Sequence, residues 1–262
     1  AILPTLGDQF TAGAFQKAQA GGLRCRMLGN FGVGYNHIDA AAAAAAGVIV
    51  SNTPDVLTAA TADIGMTLIL STCRRASEGE RMLRAGKWGG FGPKSMLGTE
   101  VSGKTLGIVG MGGIGEALAQ RATAFGMEVV YHNRSAVDIA TETQLGARLV
   151  SLEELLATSD VVSLNCPYSE ATHHLIGADA LAAMQPTAHL VNTARGPIVD
   201  EAALVEALQS GVIAVAALDV FEHEPTVHPG LLELDNVVLI PHLGSATIET
   251  RAAMATTAAS NV

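Results

Sequence analysis

The 262-residue chain has few aromatic residues, few cysteines and few basic residues. Aromatic side chains make up 4% of the composition. The three cysteines, Cys25, Cys73 and Cys166, show neither a metal-binding spacing nor a disulfide pattern, so we expect no metal site and a reducing, cytoplasmic environment. The 15 basic residues are outnumbered by 25 acidic ones, which gives a formal net charge of −10. Repulsion from phosphate backbones therefore argues against nucleic-acid binding.

The chain also lacks the apolar runs that membrane and secreted proteins contain. No run reaches the roughly 18 residues of a membrane span, and no signal segment begins the sequence. Apolar residues nevertheless make up 49% of the chain, which is enough for a large buried core. Because the chain begins at Ala1 and stops within a helical pattern, we expect both ends to be truncated.

A small α/β unit is predicted near the beginning of the chain. Short strands at 26–33 and 47–51 flank an alanine-rich helix from Asp39 to Ala46. The segment Asn52-Thr53-Pro54 then breaks the pattern, because proline removes a backbone donor and restricts the residue before it. We interpret this segment as a hinge between two domains.

A long helix is predicted from about Thr58 to Ala85, followed by a glycine-rich loop or arm over 86–103. From Thr105 onward, strands and helices alternate, which is typical of a parallel sheet covered on both faces. The predicted strands are 106–109, 128–131, 148–150, 160–164, 188–192, 213–218 and 237–240.

A glycine-rich turn follows the first of these strands. Gly110-Met111-Gly112-Gly113-Ile114-Gly115 matches G-x-G-x-x-G, with a predicted helix, Gly115–Phe125, directly after it. The first glycine makes the tight turn, the second lets a pyrophosphate approach, and the third lets helix and strand pack. A structural turn is the alternative, but the strand–turn–helix context favours a dinucleotide site. We therefore predict an α/β fold with a Rossmann doubly wound parallel sheet over 53–246.

The next predicted strand ends in Asn133-Arg134-Ser135, which contains no acidic residue. An NAD site usually has Asp or Glu about 20 residues after the glycines, to bind the ribose hydroxyls. Arg134 would instead attract the 2′-phosphate of NADP, although it could also be a solvated surface charge. The residues favour NADP(H) and leave NAD(H) as the alternative.

Four polar residues stand at or near the ends of later predicted strands: Arg195, Asp219, Glu224 and His242. In an open parallel sheet, ligands bind outside the carboxyl ends of the strands, so these residues are expected to converge. Each alone could be an ordinary loop or surface residue. Their joint occurrence argues against coincidence.

Six segments carry a resemblance to a known family: NFGVGYNHID at 30–39, NTPDVLTAATAD at 52–63, LGIVGMGGIG at 106–115, LVNTARGPIVDE at 190–201, ALDVFEHEP at 217–225 and PHLGSAT at 241–247. In these segments, which are spread over nearly the whole chain, the sequence resembles the D-isomer-specific 2-hydroxyacid dehydrogenases, and within them the glyoxylate/hydroxypyruvate reductases. The resemblance implies a smaller flavodoxin-like α/β substrate domain, formed by 1–52 and 247–262 and incomplete at both ends, beside the dinucleotide-binding domain at 53–246.

The resemblance also implies a role for each matching residue. His242 is the expected acid/base, Glu224 its carboxylate partner, and Arg195 the group that binds the substrate carboxylate and polarises the carbonyl. Backbone amides of Val33 and Gly34 are expected to bind the same carboxylate, and Asp219 is expected to bind the nicotinamide carboxamide. The other expected cofactor contacts are Gly110, Gly112, Gly113, Ile114, Gly115, Asn133, Arg134, Ser135, Cys166, Pro167, Thr193 and Gly244.

Three functions stay open at the level of sequence. The first is reduction of glyoxylate, hydroxypyruvate or a similar small 2-oxoacid with NADPH. The second is an NAD-dependent phosphoglycerate or other 2-hydroxyacid dehydrogenase, and the third a dinucleotide-sensing protein like the corepressors of this fold. Glu224 argues against formate dehydrogenase, in which a glutamine partners the histidine. The resemblance further implies a homodimer, with Trp88 and Met96 either at the dimer contact or packed locally.

Overall fold

The computed structural model describes residues 1–262 and divides into two compact units. The smaller unit comprises Ala1–Ala60 and Ser245–Val262, and the larger one Thr61–Gly244. All of the paired strands are parallel, which confirms the predicted α/β class. None of the helices is both long enough and apolar enough to cross a bilayer.

The elements follow one another in a largely alternating order. The strands are β1 (Met27–Gly29), β2 (Ile49–Ser51), β3 (Thr105–Val109), β4 (Glu128–His132), β5 (Ala147–Leu149), β6 (Val161–Leu164), β7 (His189–Asn192), β8 (Val215–Leu218) and β9 (Val237–Leu239). The α-helices are α1 (Ala12–Ala20), α2 (Ala40–Ala45), α3 (Thr58–Cys73), α4 (Ala76–Arg84), α5 (Gly113–Ala124), α6 (Ile139–Leu145), α7 (Leu152–Thr158), α8 (Ala178–Ala183), α9 (Glu201–Ser210), α10 (Pro229–Leu232) and α11 (Ile248–Ser260).

The larger unit contains a seven-stranded sheet in the order β5-β4-β3-β6-β7-β8-β9. The chain enters at β3, builds outward through β4 and β5, and then returns to pair β6 on the other side of β3. The order therefore reverses between β3 and β6. In open α/β sheets, such a reversal leaves a crevice at the carboxyl ends of the two strands, where ligands bind.

Both faces of this sheet are covered, as the continuous apolar strands predict. Adjacent residues of one strand belong to different core clusters: Leu190 to one and Val191 to the other, and likewise Ala216 and Ala217. Since successive strand side chains point to opposite faces, the two clusters lie on opposite sides of the sheet. One cluster contains buried residues of α7, α8 and α9, and the other contains buried residues of α3 and α5.

The smaller unit contains a parallel pair, β1 and β2, joined through α2, and Ile2 makes an isolated parallel bridge to Leu28. The alanine run forms α2 because Asp39 caps it: its Oδ1 accepts a 2.8 Å bond from the Ala42 amide. A strand–helix–strand unit of this kind is the repeating element of flavodoxin-like sheets. The core of this unit comprises Phe15, Leu28, Ile38, Ala43 and Val48.

The prediction of one helix from Thr58 to Ala85 was wrong, since the structure has two helices, α3 and α4. Arg75 adopts a left-handed conformation with φ of 51°, which cannot continue a right-handed helix. The carbonyl of Cys73 accepts the amide of Thr99 at 2.7 Å instead of a bond within the helix. Neither glycine nor proline marks this break, so sequence pattern could not show it.

The unit boundaries fall at 60/61 and 244/245, whereas the sequence placed the domain boundaries at 52/53 and 246/247. The chain beyond Asn52 stays with the smaller unit. Thr53 is fully buried, and its amide donates to the carbonyl of Gly32 at 3.1 Å. The proline of Asn52-Thr53-Pro54 therefore marks the approach to the boundary rather than the boundary itself.

Candidate active site

The structure brings Glu224 and His242 into direct contact. Glu224 lies in the loop after β8, and His242 lies in the loop after β9. The Nδ1 atom of His242 is 2.8 Å from Oε2 of Glu224, and the two side chains are 29% and 35% exposed. The Phe221 amide donates to the other carboxylate oxygen, Oε1, at 3.0 Å. Each oxygen of Glu224 thus has its own partner, which orients the carboxylate towards the imidazole.

The charge state of Glu224 follows from these neighbours. Burial raises the pKa of its carboxyl group, but the hydrogen bond and charge of His242, the Phe221 amide and the charge of Arg195 lower it by more. The net pKa lies below the ordinary value of 4.5, so Glu224 is a carboxylate at neutral pH. A carboxylate in contact with an imidazole stabilises the protonated imidazolium.

Arg195 follows β7 and is half-buried. Burial lowers the pKa of its guanidinium, and the charge of Glu224 opposes that shift. An arginine stays protonated even so, because its ordinary pKa is far above neutrality. The site therefore contains a permanent cation within electrostatic reach of the Glu224–His242 pair.

Two residues that sequence reasoning missed shape the Arg195 turn. Asn192 is fully buried, and its side chain accepts the Ala194 amide at 3.0 Å and donates to the Arg195 carbonyl at 2.9 Å. At Gly196, a Cβ atom would overlap the carbonyl group of Phe221, so this turn contacts the backbone of the Glu224 loop directly. Both residues belong to the segment NTARG, in which the buried strand β7 ends, and this segment is the sequence signal that could have identified them.

Asp219 and Gly244, both predicted cofactor contacts, are bonded to each other. Asp219 is 1% exposed, and its carboxylate accepts the amides of Leu243 and Gly244. Burial raises the pKa of Asp219, while these two amides and the charge of His242 oppose the shift. The carboxylate therefore faces the loop that contains His242.

The glycine turn has the shape that a pyrophosphate requires. A Cβ atom at Gly110, where φ is 100°, would lie 2.5 Å from the amide nitrogen of Cys166, and one at Gly115 would overlap the carbonyl of Gly110. At Gly112, in contrast, a Cβ would meet no atom within 4 Å. The first and third glycines therefore permit close packing and the second borders open space, so these residues fit a dinucleotide.

Helix α5 begins at Gly113, and its N-cap, Gly112, has no side chain to cap the first amides. The amides of Gly113 and Ile114 lie in this first turn, where the helix dipole favours an anion. Burial raises the pKa of the neighbouring Cys166 thiol to about 11, so it is neutral. The other two residues predicted for the groove lie in the loops after β6 and β7: Pro167 is exposed and Thr193 is buried.

The turn after β4 uses its three predicted residues differently. Asn133 accepts the Met111 amide at 2.7 Å and donates to the Met111 carbonyl at 3.2 Å, so its side chain binds the glycine turn. Arg134 and Ser135 are exposed. Asn133 therefore positions the glycine turn, and the exposed pair is what this segment offers to a ligand.

Val33 and Gly34 lie in the smaller unit, in the loop after β1. The side-chain amide of Asn52 donates to the Val33 carbonyl at 2.9 Å, and that of Asn30 donates to the Gly34 carbonyl at 3.1 Å. Sequence reasoning overlooked both asparagines. Their bonds define the shape of this loop, and the predicted contact of its amides with a carboxylate stays a prediction.

The glycine turn lies at the reversal point of a doubly wound sheet, and later loops bring together a histidine, a carboxylate and an arginine. This combination is that of a dinucleotide-binding oxidoreductase. Residues 66–244 match the family model described as D-isomer specific 2-hydroxyacid dehydrogenase, NAD binding domain. The chain belongs to the D-isomer-specific 2-hydroxyacid dehydrogenase family, and its larger unit binds a nicotinamide dinucleotide.

Individual relatives agree with this assignment. The glyoxylate reductase of Thermococcus onnurineus is 46% identical over 266 residues, which cover all of this chain and 78% of the relative. The crystal structure of a glyoxylate reductase from Paecilomyes thermophila is 46% identical, with a TM-score of 0.84 over 90% of this chain and 70% of that one. An NADPH-dependent glyoxylate/hydroxypyruvate reductase from Sinorhizobium meliloti, solved with NADP and malonate, is 41% identical, with a TM-score of 0.82 over 89% and 72% of the two chains.

The lowered pKa of Glu224 predicts how its contribution to stability depends on pH. Because the folded-state pKa is below the unfolded value, the contribution is fully present above pH 4.5 and is lost as the pH falls through the folded-state pKa. Urea unfolding of the wild type and Glu224→Gln should therefore give a stability difference that shrinks below pH 4.5. Glu206→Gln, at an exposed position of α9, is the control. A Glu224→Gln difference that stays constant with pH would contradict the pairing.

Proposed function

We propose that this protein reduces a small 2-oxoacid, glyoxylate or hydroxypyruvate, to the corresponding 2-hydroxyacid with NADPH. The observation that supports this most directly is the 2.8 Å contact between His242 and Glu224, with the cation of Arg195 nearby. Besides the hydride from the cofactor, reduction of a 2-oxoacid needs a proton for the carbonyl oxygen and a group that binds the substrate carboxylate. His242 can supply the proton, and Arg195 can bind the carboxylate. The names of the relatives support the choice of substrate.

Bound NADPH would supply the hydride to the carbonyl carbon. His242 would supply the proton: because its Nδ1 atom faces Glu224, Nε2 is the nitrogen that can donate to the carbonyl oxygen. After the transfer, Nδ1–H stays bonded to the carboxylate and fixes the tautomer. In the oxidative direction, the same Nε2 would accept the hydroxyl proton.

Glu224 and Arg195 have separate tasks in this proposal. Glu224, ionised at neutral pH, stabilises the imidazolium that must be present before the proton is donated. Arg195 binds the substrate carboxylate with its planar guanidinium and polarises the carbonyl that receives the hydride. Burial keeps the Cys166 thiol protonated, which disfavours it as a nucleophile.

The preference for NADP(H) over NAD(H) rests on the turn after β4. Its exposed residues, Arg134 and Ser135, offer a cation and a hydroxyl, and Asn133 is neutral. The next acidic residue, Asp138, is the N-cap of α6 and accepts the amide of Thr141 at 2.9 Å. This turn therefore offers no carboxylate to bind the ribose hydroxyls of NAD, whereas Arg134 can bind the 2′-phosphate of NADP.

We also propose that the protein is a homodimer, formed through the segment 83–97. Leu83, Trp88, Phe91 and Leu97 are 60%, 59%, 94% and 64% exposed, so large apolar side chains are concentrated here. Met96 instead lies close to Gly79 of α4, which is local packing. The family resemblance, which implies a dimer contact in this region, supports a second copy as the occupant.

Substitution of His242 tests the reaction. His242→Ala should lower kcat for glyoxylate reduction by roughly 10²- to 10⁴-fold, because a positioned proton donor contributes about that factor. Binding of NADPH, followed by its fluorescence, should change less than about threefold. His173→Gln, an exposed histidine elsewhere in the larger unit, is the control. Wild-type protein that binds NADPH without any turnover would support a dinucleotide sensor instead.

Substitution of Arg134 tests the cofactor preference. Arg134→Ala should raise the KM for NADPH by about tenfold or more, because one charge-assisted contact is lost, and leave the KM for NADH nearly unchanged. Arg148→Ala removes a 64%-exposed arginine of the same unit and serves as the matched control. Equal effects of Arg134→Ala on the two cofactors would refute the 2′-phosphate assignment.

Replacement of two exposed aromatic residues tests the dimer. The double variant Trp88→Ser/Phe91→Ser should sediment as a monomer at micromolar concentration, because it removes apolar area from the contact. Ile139→Ser, at an 81%-exposed position of α6, should leave the wild-type sedimentation unchanged. Wild-type protein that sediments as a monomer would overturn the proposal.

A further inference from the structure

Three consecutive amides of the loop after β9 bind one residue. The amide of His242 donates to the Asp219 carbonyl at 2.9 Å. The amides of Leu243 and Gly244 donate to Oδ1 and Oδ2 of the Asp219 carboxylate, at 2.5 and 2.8 Å. One buried aspartate therefore accepts the backbone amides of 242, 243 and 244.

The same loop is bonded from its other side by Thr61. The hydroxyl of Thr61 donates to the Gly244 carbonyl at 3.1 Å, and Thr61 is 5% exposed. These two residues are 183 positions apart and are the first and last residues of the larger unit. A Cβ atom at Gly244 would lie 3.2 Å from the Asp219 carboxylate and 3.3 Å from the Thr61 side chain, so both groups close tightly on this glycine.

His242 depends on external bonds of this kind. Its φ of 52° is in the left-handed region, which residues other than glycine rarely adopt. Such a conformation persists only where the surroundings determine it more strongly than the local preference opposes it. Here the surroundings are the bonds from the amides of 242–244 to Asp219 and the bond from Thr61 to the Gly244 carbonyl, which hold the backbone in this conformation.

We propose that Asp219 and Thr61 are positioning residues, which hold His242 in the orientation that faces Glu224. The proposal rests on the proposed function in that it takes His242 to be the proton donor. At 1% exposure, the Asp219 carboxylate uses both of its oxygens to bind amides of the loop that contains His242. Asp219 therefore acts through His242, and Thr61 acts from α3 by the same route.

Matched variants separate positioning from cofactor contact. Asp219→Asn places an NH₂ group against a backbone N–H, and Thr61→Val removes only the hydroxyl. In the ligand-free protein, amide hydrogen exchange at Leu243 and Gly244 should become about tenfold faster in Asp219→Asn and about threefold faster in Thr61→Val, as expected for lost hydrogen bonds. Thr61→Ser, which keeps the hydroxyl, should exchange like the wild type.

The control is Thr72→Val in the same helix. Thr72 is 3% exposed, and its hydroxyl bonds only to carbonyls of α3, those of Leu68 and Ile69. Thr72→Val should leave exchange at 243 and 244 unchanged, although it also removes a buried hydroxyl. It thereby separates the effect of the bond to Gly244 from that of a weakened helix.

Turnover with glyoxylate and NADPH supplies the second readout. Asp219→Asn should lower kcat by about tenfold or more and Thr61→Val by about threefold, and Thr61→Val should leave the KM for NADPH within about twofold of the wild-type value. A raised KM for NADPH in Asp219→Asn, with kcat and exchange unchanged, would make Asp219 a cofactor contact and overturn the proposal. So would equal behaviour of Thr61→Val and Thr61→Ser.

The two proposals fail in different ways. If the wild type reduced no 2-oxoacid, the proposed function would fall, yet the exchange rates would still show whether Asp219 and Thr61 hold the loop. If Asp219→Asn did not fold, the comparison of Thr61→Val with Thr61→Ser would decide, since neither changes a charge. Unchanged exchange in a folded Asp219→Asn would refute the positioning role even where turnover is lost.

Discussion

All seven strands of the larger sheet run parallel, and the rest of the structure depends on that constraint. Parallel strands end at the same edge, so the loops after β3, β4, β6, β7, β8 and β9 meet there. The glycine turn, the Arg195 turn, the Glu224 loop and the His242 loop therefore lie along the same edge although they are far apart in sequence. The price of this arrangement is a set of strands buried on both faces, which their near-continuous apolar sequences satisfy.

Polar side chains then hold the loops of the site in place. Asn133 binds both backbone groups of Met111, Asn192 binds both ends of the Arg195 turn, and Asp219 binds the amides of the His242 loop. In each case a short, polar side chain bonds main-chain groups of a neighbouring loop or turn. Residues at the edge of the sheet thus divide into those that can meet a ligand, such as Arg134, and those that hold the ones that do.

Much of the fold could be predicted from the sequence, because alternating apolar segments and glycine positions are local signals. The strands, the glycine turn and the capped alanine helix all depend on such patterns. The break between α3 and α4 could not be predicted, since it depends on a bond from Thr99 to the Cys73 carbonyl and on a left-handed Arg75 without glycine. The direction of Asn133 was equally hidden, because its partner Met111 lies 22 residues earlier.

The sequence by itself determined the family, the α/β class and the types of residue available for chemistry, because motifs such as NTARG and the glycine turn can be recognised one segment at a time. Only the tertiary structure decided which of these residues touch. It paired His242 with Glu224, turned Asp219 away from solvent and joined Thr61 to Gly244. The physical reason is distance along the chain: a hydrogen bond between residues 18, 25 or 183 positions apart exists only once the sheet has brought their loops to one edge.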